Sequence, residues 1–230
     1  QNHIPVRQNE ESQLKLLRAR TQTFALATRY MVAQLALTVL IPVIGSVAGI
    51  FIAEVRPYFT LLALLVLVAD PLWLDRQYKA MLKRGAKIAE HFDTIVLELD
   101  WNPFTVGDRV EVEDIHRAAT KYAARHDDSE LVGWYPRAVG DVPLHLARLI
   151  CQRTNLRYDS QLRRNYAGVL IGLVLSIALL VFVVGFAQKL SVPEWVLNFA
   201  LLSPLLSWSI REFYRQRDTA DQIEDLMTSA

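Results

Sequence analysis

Two long stretches without a charged residue decide what this chain can fold into: Met31 to Ala53, 23 residues, and Ala167 to Ala187, 21 residues. A helix of about 20 apolar residues matches the roughly 30 Å hydrocarbon core of a bilayer, so each stretch can cross one. Two further blocks, Tyr58 to Leu74 and Val192 to Ile210, are marginal alone, being interrupted by Asp70-Pro71 and by Pro204. Each follows a strong block after a link of only Glu54 to Pro57 or Gln188 to Ser191, which sends the chain straight back along the helix before it. The expected fold is mainly α and integral to the membrane. Four transmembrane helices form two hairpins (2+2) that flank a mostly helical cytoplasmic domain. For the second block alone, the alternative is a buried helix of a soluble core.

The first block starts thirty residues in and has no cleavage site of small residues after it, so it is not read as a signal peptide. Because the sequence opens on Gln1, residues before it are expected. Lys and Arg flank the blocks on one side: Arg18, Arg20 and Arg29; Arg76, Lys79, Lys83, Arg84 and Lys87; Arg157, Arg163 and Arg164; Arg211, Arg215 and Arg217. The hairpin tips carry only Arg56 and Lys189. Positive charge stays in the cytoplasm, which puts both termini inside. Residues 1–29 are then a cytoplasmic N-terminal helix and 30–74 the first hairpin. A cytoplasmic sensing or coupling domain fills 75–165, the second hairpin 166–210, and a cytoplasmic tail 211–230.

Composition excludes several functions. A net charge of +1, from 25 basic and 24 acidic residues, is wrong for a uniformly basic nucleic-acid binder. One cysteine, Cys151, rules out an internal disulfide and a cysteine-based zinc site. There is no glycine-rich phosphate loop, HExxH or nucleophile elbow. His145 and Cys151 stand six apart, on different faces of a helix. The chain is therefore expected not to be an enzyme and to need no cofactor or metal; an enzyme would have only Glu98, Asp100 and His145 to draw on.

Within the blocks, Asp70 stands out, because a carboxylate in a span costs about 2.5–3.5 kcal/mol at its centre. It is a pore or gate candidate, or a cap for the turn at Pro71. Ser203 and Ser207 share a face of the fourth block and are further pore candidates, or small residues at helix contacts. Gly45 and Gly49, and Gly168 and Gly172, match the small-xxx-small spacing of close helix packing.

The middle segment opens with a helix that continues the second block. Tyr78, Leu82, Gly85, Ala89 and Phe92 form its inner face. Arg76, Lys79, Lys83 and Lys87 form a basic stripe, read either as a surface facing anionic headgroups or as an ion-attracting vestibule. TIVLELDW reads as a short strand and Val112 to Arg125 as a helix. A long helix from Pro143 runs into the third block and presents Arg148, Gln152, Asn155 and Asp159 on one face, with Arg153, Arg157 and Arg164 on another. Guanidinium groups grip phosphates in pairs of hydrogen bonds, and Trp134, Tyr135 or Tyr158 could stack a base. The segment from Asp75 to Asn165 holds 15 basic and 14 acidic residues, so pairing within the protein is the alternative.

The strings IPVRQNEESQLKLLRA, GAKIAEHFDTIVLELDWN, WYPRAV and PLHLARLICQRTNLRYDSQLRRNYAG occur in order within this 2+2 pattern. On these the chain resembles the SMODS-associating four-transmembrane family of bacterial pore-forming effectors, over nearly its whole length. The resemblance implies an antiphage effector of the bacterial inner membrane, paired with a nucleotidyltransferase-like enzyme. A nucleotide or oligonucleotide product, or the enzyme itself, would open the channel or hold it shut. The ligand-binding residues it favours are Arg148, Gln152, Arg153, Arg163 and Arg164; Asn155, Trp134 and Tyr135 complete the candidate set. It also implies a longer cytoplasmic tail than the residues after Ile210. Four helices packed on their own core leave no bore, so a pore needs a cyclic homo-oligomer, taken here as a tetramer. A membrane-anchored module that recruits a partner without conducting ions is the alternative.

Overall fold

The computed structural model describes residues 2–189 and 191–229. Every regular element among them is helical: α1 (Ile4–Arg7), α2 (Glu11–Leu35), α3 (Ile41–Phe51), α4 (Arg56–Ala69), α5 (Asp75–Val96), α6 (Pro103–Val106), α7 (Val112–Ala123), α8 (Leu144–Ala187) and α9 (Val192–Ser229). A π turn, Ala36–Leu40, joins α2 to α3, and a second, Asp70–Leu74, joins α4 to α5. The first apolar block is therefore helical through both pieces until Ile52, where the backbone turns extended at φ −135° and ψ 93°. At 44 residues, α8 is about 66 Å long. As expected, it carries the polar string and the third block on one helix.

The chain divides into two units, one of residues 1–32 and 73–152, the other of 33–72 and 153–230. In the first unit the N-terminal helices are part of the core of the middle segment. Ile4, Leu14, Leu17 and Ala19 pack with Ile88, Phe92 and Val96 of α5, Ile115, Ala119 and Tyr122 of α7, and Ala147 and Cys151 of α8. Arg18 of α2 fastens the loop after α7 by bonding Asp128, and reaches Glu11 at 2.5 Å.

The expected strand is a helix end. Thr94, Ile95 and Val96 complete α5. The Leu99 N–H then donates to the Thr94 carbonyl at 2.9 Å and the Glu98 N–H to that of Ile95 at 3.4 Å. That bond pair is a Schellman cap, with Glu98 at φ 55° in the place glycine usually takes.

The second unit contains two helical hairpins with regular registers. Gly45 of α3 lies against Phe59 of α4, and Gln34 donates to Asp70 at 3.2 Å; both pairs are equally spaced about Ile52. Gly185 of α8 lies against Trp195 of α9, and the Ser160 hydroxyl donates to the Ala220 carbonyl at 3.3 Å; both are equally spaced about position 190. Val39 and Val181 meet in a small apolar core with Leu35, Val43 and Ile177, and α3 also touches α9. Gly168 and Gly172, by contrast, have open space where a Cβ would stand.

Much apolar surface is left uncovered in this unit. Among the described residues one helix, α8, is long and apolar enough to cross a membrane, and only 22% of its most apolar stretch is buried. On α4 and the π turn that follows it, Tyr58, Leu61, Leu65, Val68 and Leu72 form an exposed stripe at helical spacing.

Candidate functional site

Of the residues singled out for ligand binding, Trp134, Tyr135, Arg148 and Gln152 belong to the first unit, and Arg153, Asn155, Arg163 and Arg164 to the second. Tyr135 is 1% exposed. Its ring stacks on Phe92 at 6.3 Å, its hydroxyl donates to Asp93 at 2.6 Å, and its backbone is held on both sides by the Gln8 amide. It carries the core and offers no face to a base. Trp134 is half-buried, with the Arg20 guanidinium 4.6 Å from its ring centre. Burial, aided by the charge of Asp93, pushes the Cys151 thiol up to about 11, so this cysteine is unreactive.

Arg148 closes the end of α5. Its Nε donates to the Leu97 carbonyl at 2.6 Å and its Nη2 to the Glu98 carbonyl at 2.5 Å. A non-glycine residue in the left-handed region costs about 1–2 kcal/mol, and this guanidinium satisfies the carbonyls that the cap leaves over. Glu98 itself pairs with Arg7 at 2.7 Å. Arg148→Ala is therefore expected to cost about 2 kcal/mol, as a charged hydrogen-bond donor shared by two carbonyls, one of them part-buried, is lost. Arg148→Lys should recover part of it. Denaturation midpoints of the assembled protein check this; a midpoint unmoved by Arg148→Ala would leave the residue free for a ligand.

The basic stripe divides by contact. Arg76 and Lys83 are exposed, Lys79 pairs with Asp75 at 2.7 Å, and the Lys87 Nζ donates to the Asp108 carbonyl at 2.8 Å. In the second unit Gln152's neighbour Arg153 is exposed and Asn155 half-buried. Arg163 donates to Asp159 at 2.9 Å and to the Gln216 side chain at 3.0 Å. Arg164 donates to Asp221 at 2.8 Å and also bonds Glu224. The hydrogen bond to Asp221, first, and the nearby Glu224 hold its guanidinium firmly in the charged form. These acids lie far along the chain on α9, so sequence spacing gave no hint of them.

Asp70 is half-buried and accepts from Gln34. It opens the π turn after α4, on the side of that helix away from the exposed stripe, and faces Gln34 within its own unit. Gln34, a polar residue inside the first apolar block, is the partner sequence reasoning missed; its one signal was being the sole amide in that block. The side chains of Ser203 and Ser207 lie outside the described residues. Nearby on α9, Ser209 and Glu212 are buried, and Glu212 accepts from Gln216 at 2.8 Å and pairs with Arg215 at 2.5 Å. No group of three or more His, Cys, Asp or Glu among the described residues could hold a metal ion.

Two comparisons bear on these features. The family model described as SMODS-associating 4TM effector domain matches residues 2–230. A probable CBASS effector molecule of Bacillus cereus (strain VD146) is 24% identical over 209 residues, covering 86% of this chain and 68% of the relative. No solved structure matches.

Proposed function

Because the chain belongs to the SMODS-associating 4TM effector family, we propose that it is an inner-membrane effector of a bacterial antiphage system that permeabilises the bilayer as a cyclic homo-oligomer. One observation carries the membrane reading: the apolar side chains of α4 and α8 point outward and uncovered. Exposing such a surface to water is disfavoured by about 25 cal/mol per Å², whereas lipid accepts it. The two hairpins supply four spans, with both termini and residues 75–165 in the cytoplasm. The geometry suits this placement. Gln34 and Asp70 each lie about 27 Å of helix from the turn at Ile52, near the far boundary of a roughly 30 Å core, where a carboxylate is less costly than at mid-span.

The protein acts by conduction rather than by catalysis. Its signal is a nucleotide or oligonucleotide from a partner nucleotidyltransferase, or the enzyme itself, and it opens the channel or holds it shut by its differential affinity for the two states. The exposed Gln152 and Arg153 keep their proposed role in sensing, and Arg76 and Lys83 theirs in the vestibule. Asp70, bonded to Gln34 within its own unit, acts on conduction as a gate residue rather than by lining the bore.

The test is ion flux through purified protein in liposomes, with and without the nucleotidyltransferase and its product. A current that the product switches in either direction is expected, and Asp70→Asn should alter that current. No current from a folded oligomer under any condition would favour a membrane-anchored module that only recruits a partner. An unchanged current in Asp70→Asn would leave the residue structural.

A further inference from the structure

Below its apolar half, the α8–α9 hairpin changes chemistry. Toward the turn it is closed by Gly185 against Trp195, with Phe182 and Trp195 rings 5.5 Å apart. Farther down the contacts are polar: Asp159 to Arg163, Arg163 to Gln216, Gln216 to Glu212, Glu212 to Arg215, and Arg164 to both Asp221 and Glu224. The register is the same antiparallel one throughout. Packing alone would be served by continuing the apolar seam, since a hydrogen-bonded ion network is weaker than well-packed apolar side chains of similar volume. The Arg164, Asp221 and Glu224 side chains are each about half exposed, so water and salt compete for every bond among them. Arg163 and Arg164 lie about 40 Å of helix from the turn, beyond a hydrocarbon core of roughly 30 Å.

We propose that this polar seam is an intramolecular latch: α9 holds Arg164 of α8 with the carboxylates of Asp221 and Glu224 and Arg163 with the Gln216 amide, and the two helices must part there for the membrane half to conduct. The inference rests on the channel reading above. Of the arginines offered to an anionic ligand, Arg164 is occupied by an internal anion, Asp221 with Glu224. An incoming anion must displace those carboxylates to be bound, and the seam opens as it does so.

The experiment uses the full chain in liposomes. Arg164→Glu places a carboxylate against two others and is expected to raise basal ion flux about tenfold, a shift that loss of about 1.4 kcal/mol of closed-state preference produces. Restoring attraction with Asp221→Arg and Glu224→Arg in the same chain should return flux to the wild-type level, which excludes simple misfolding. Replacing all three by leucine should give a seam that stays shut at any salt concentration. Wild-type flux in Arg164→Glu, or a swapped chain as leaky as Arg164→Glu, overturns the latch. If no variant conducts, the channel reading fails, and the seam is then judged separately. Spin labels at Arg157→Cys and Gln222→Cys, both exposed positions, should move apart in Arg164→Glu; an unchanged separation overturns the latch in that case too.

Discussion

Gly45→Val is expected to destroy the first hairpin, costing about 3 kcal/mol through overpacking and abolishing ion flux with it. The cause is where the new atoms would lie. A Cβ at Gly45 stands 2.7 Å from the Cβ of Phe59, 2.8 Å from its Cγ and 2.9 Å from its Cδ1. The Phe59 Cβ is fixed by its backbone, so no rotamer of Phe59 relieves that contact and α4 itself must move. Gly185 meets Trp195 just as closely, at 2.7 Å, but through the distal ring carbons, which a change of rotamer can withdraw. Gly185→Ala should therefore cost less than Gly45→Ala. At Gly168 a Cβ meets nothing, and Gly168→Ala should stabilise its helix by up to about 1 kcal/mol. Denaturation midpoints of the three alanine variants, compared with Gly45→Val, check the order. A Gly45→Val protein as stable as wild type would mean that α3 and α4 are not packed in this register.

Much of the second unit was legible because its signals are local. Charge-free runs and four-residue links fix where the helices are and where they turn, and the contacts equally spaced about Ile52 and position 190 follow from those turns. The polar string running into the third block was legible for the same reason, as no proline lies between Leu144 and Ala187 and the stretch before Gly168 has no glycine either. What escaped was nonlocal or lacked the usual residue. The end of α5 was misread as a strand because its cap holds Glu98 where glycine would have announced it, and because Arg148, which secures that cap, is fifty residues away. The spacing of Arg164 with Arg153 and Arg157 points to an anion, but not to Asp221 and Glu224, which reach Arg164 only through the hairpin register. Tyr135 read as an aromatic that could stack a base; its partners are Gln8, just past α1, and Phe92 and Asp93 of α5. The N-terminal segment supplies much of the core of the middle segment, a pairing that no periodicity within α2 could reveal.

The other large effect expected is a gain, and it depends on pH. Asp93 sits among Phe92, Tyr135 and Cys151 in the core of the first unit, and burial pushes its carboxyl up to about 6. The hydrogen bond from the Tyr135 hydroxyl opposes the shift, as does the charge of Arg20, while Glu90 adds to it. A folded-state pKa above the ordinary 3.8 means that the folded chain holds the proton more tightly than the unfolded one. Stability is then complete below pH 4, declines as pH rises toward 6, and is flat above. The loss amounts to about 3 kcal/mol at neutral pH, from about 1.4 kcal/mol per unit of pKa. Asp93→Asn removes the titration and keeps an oxygen for the Tyr135 hydroxyl. The variant should be more stable than wild type by about 3 kcal/mol at pH 7.5 and by about 1 kcal/mol at pH 4.5. Thermal unfolding of both proteins across that range decides it. A difference that does not grow with pH, or an Asp93→Asn chain less stable than wild type at pH 7.5, would show that the ionised carboxylate is a stabilising partner of Arg20 and not a buried cost.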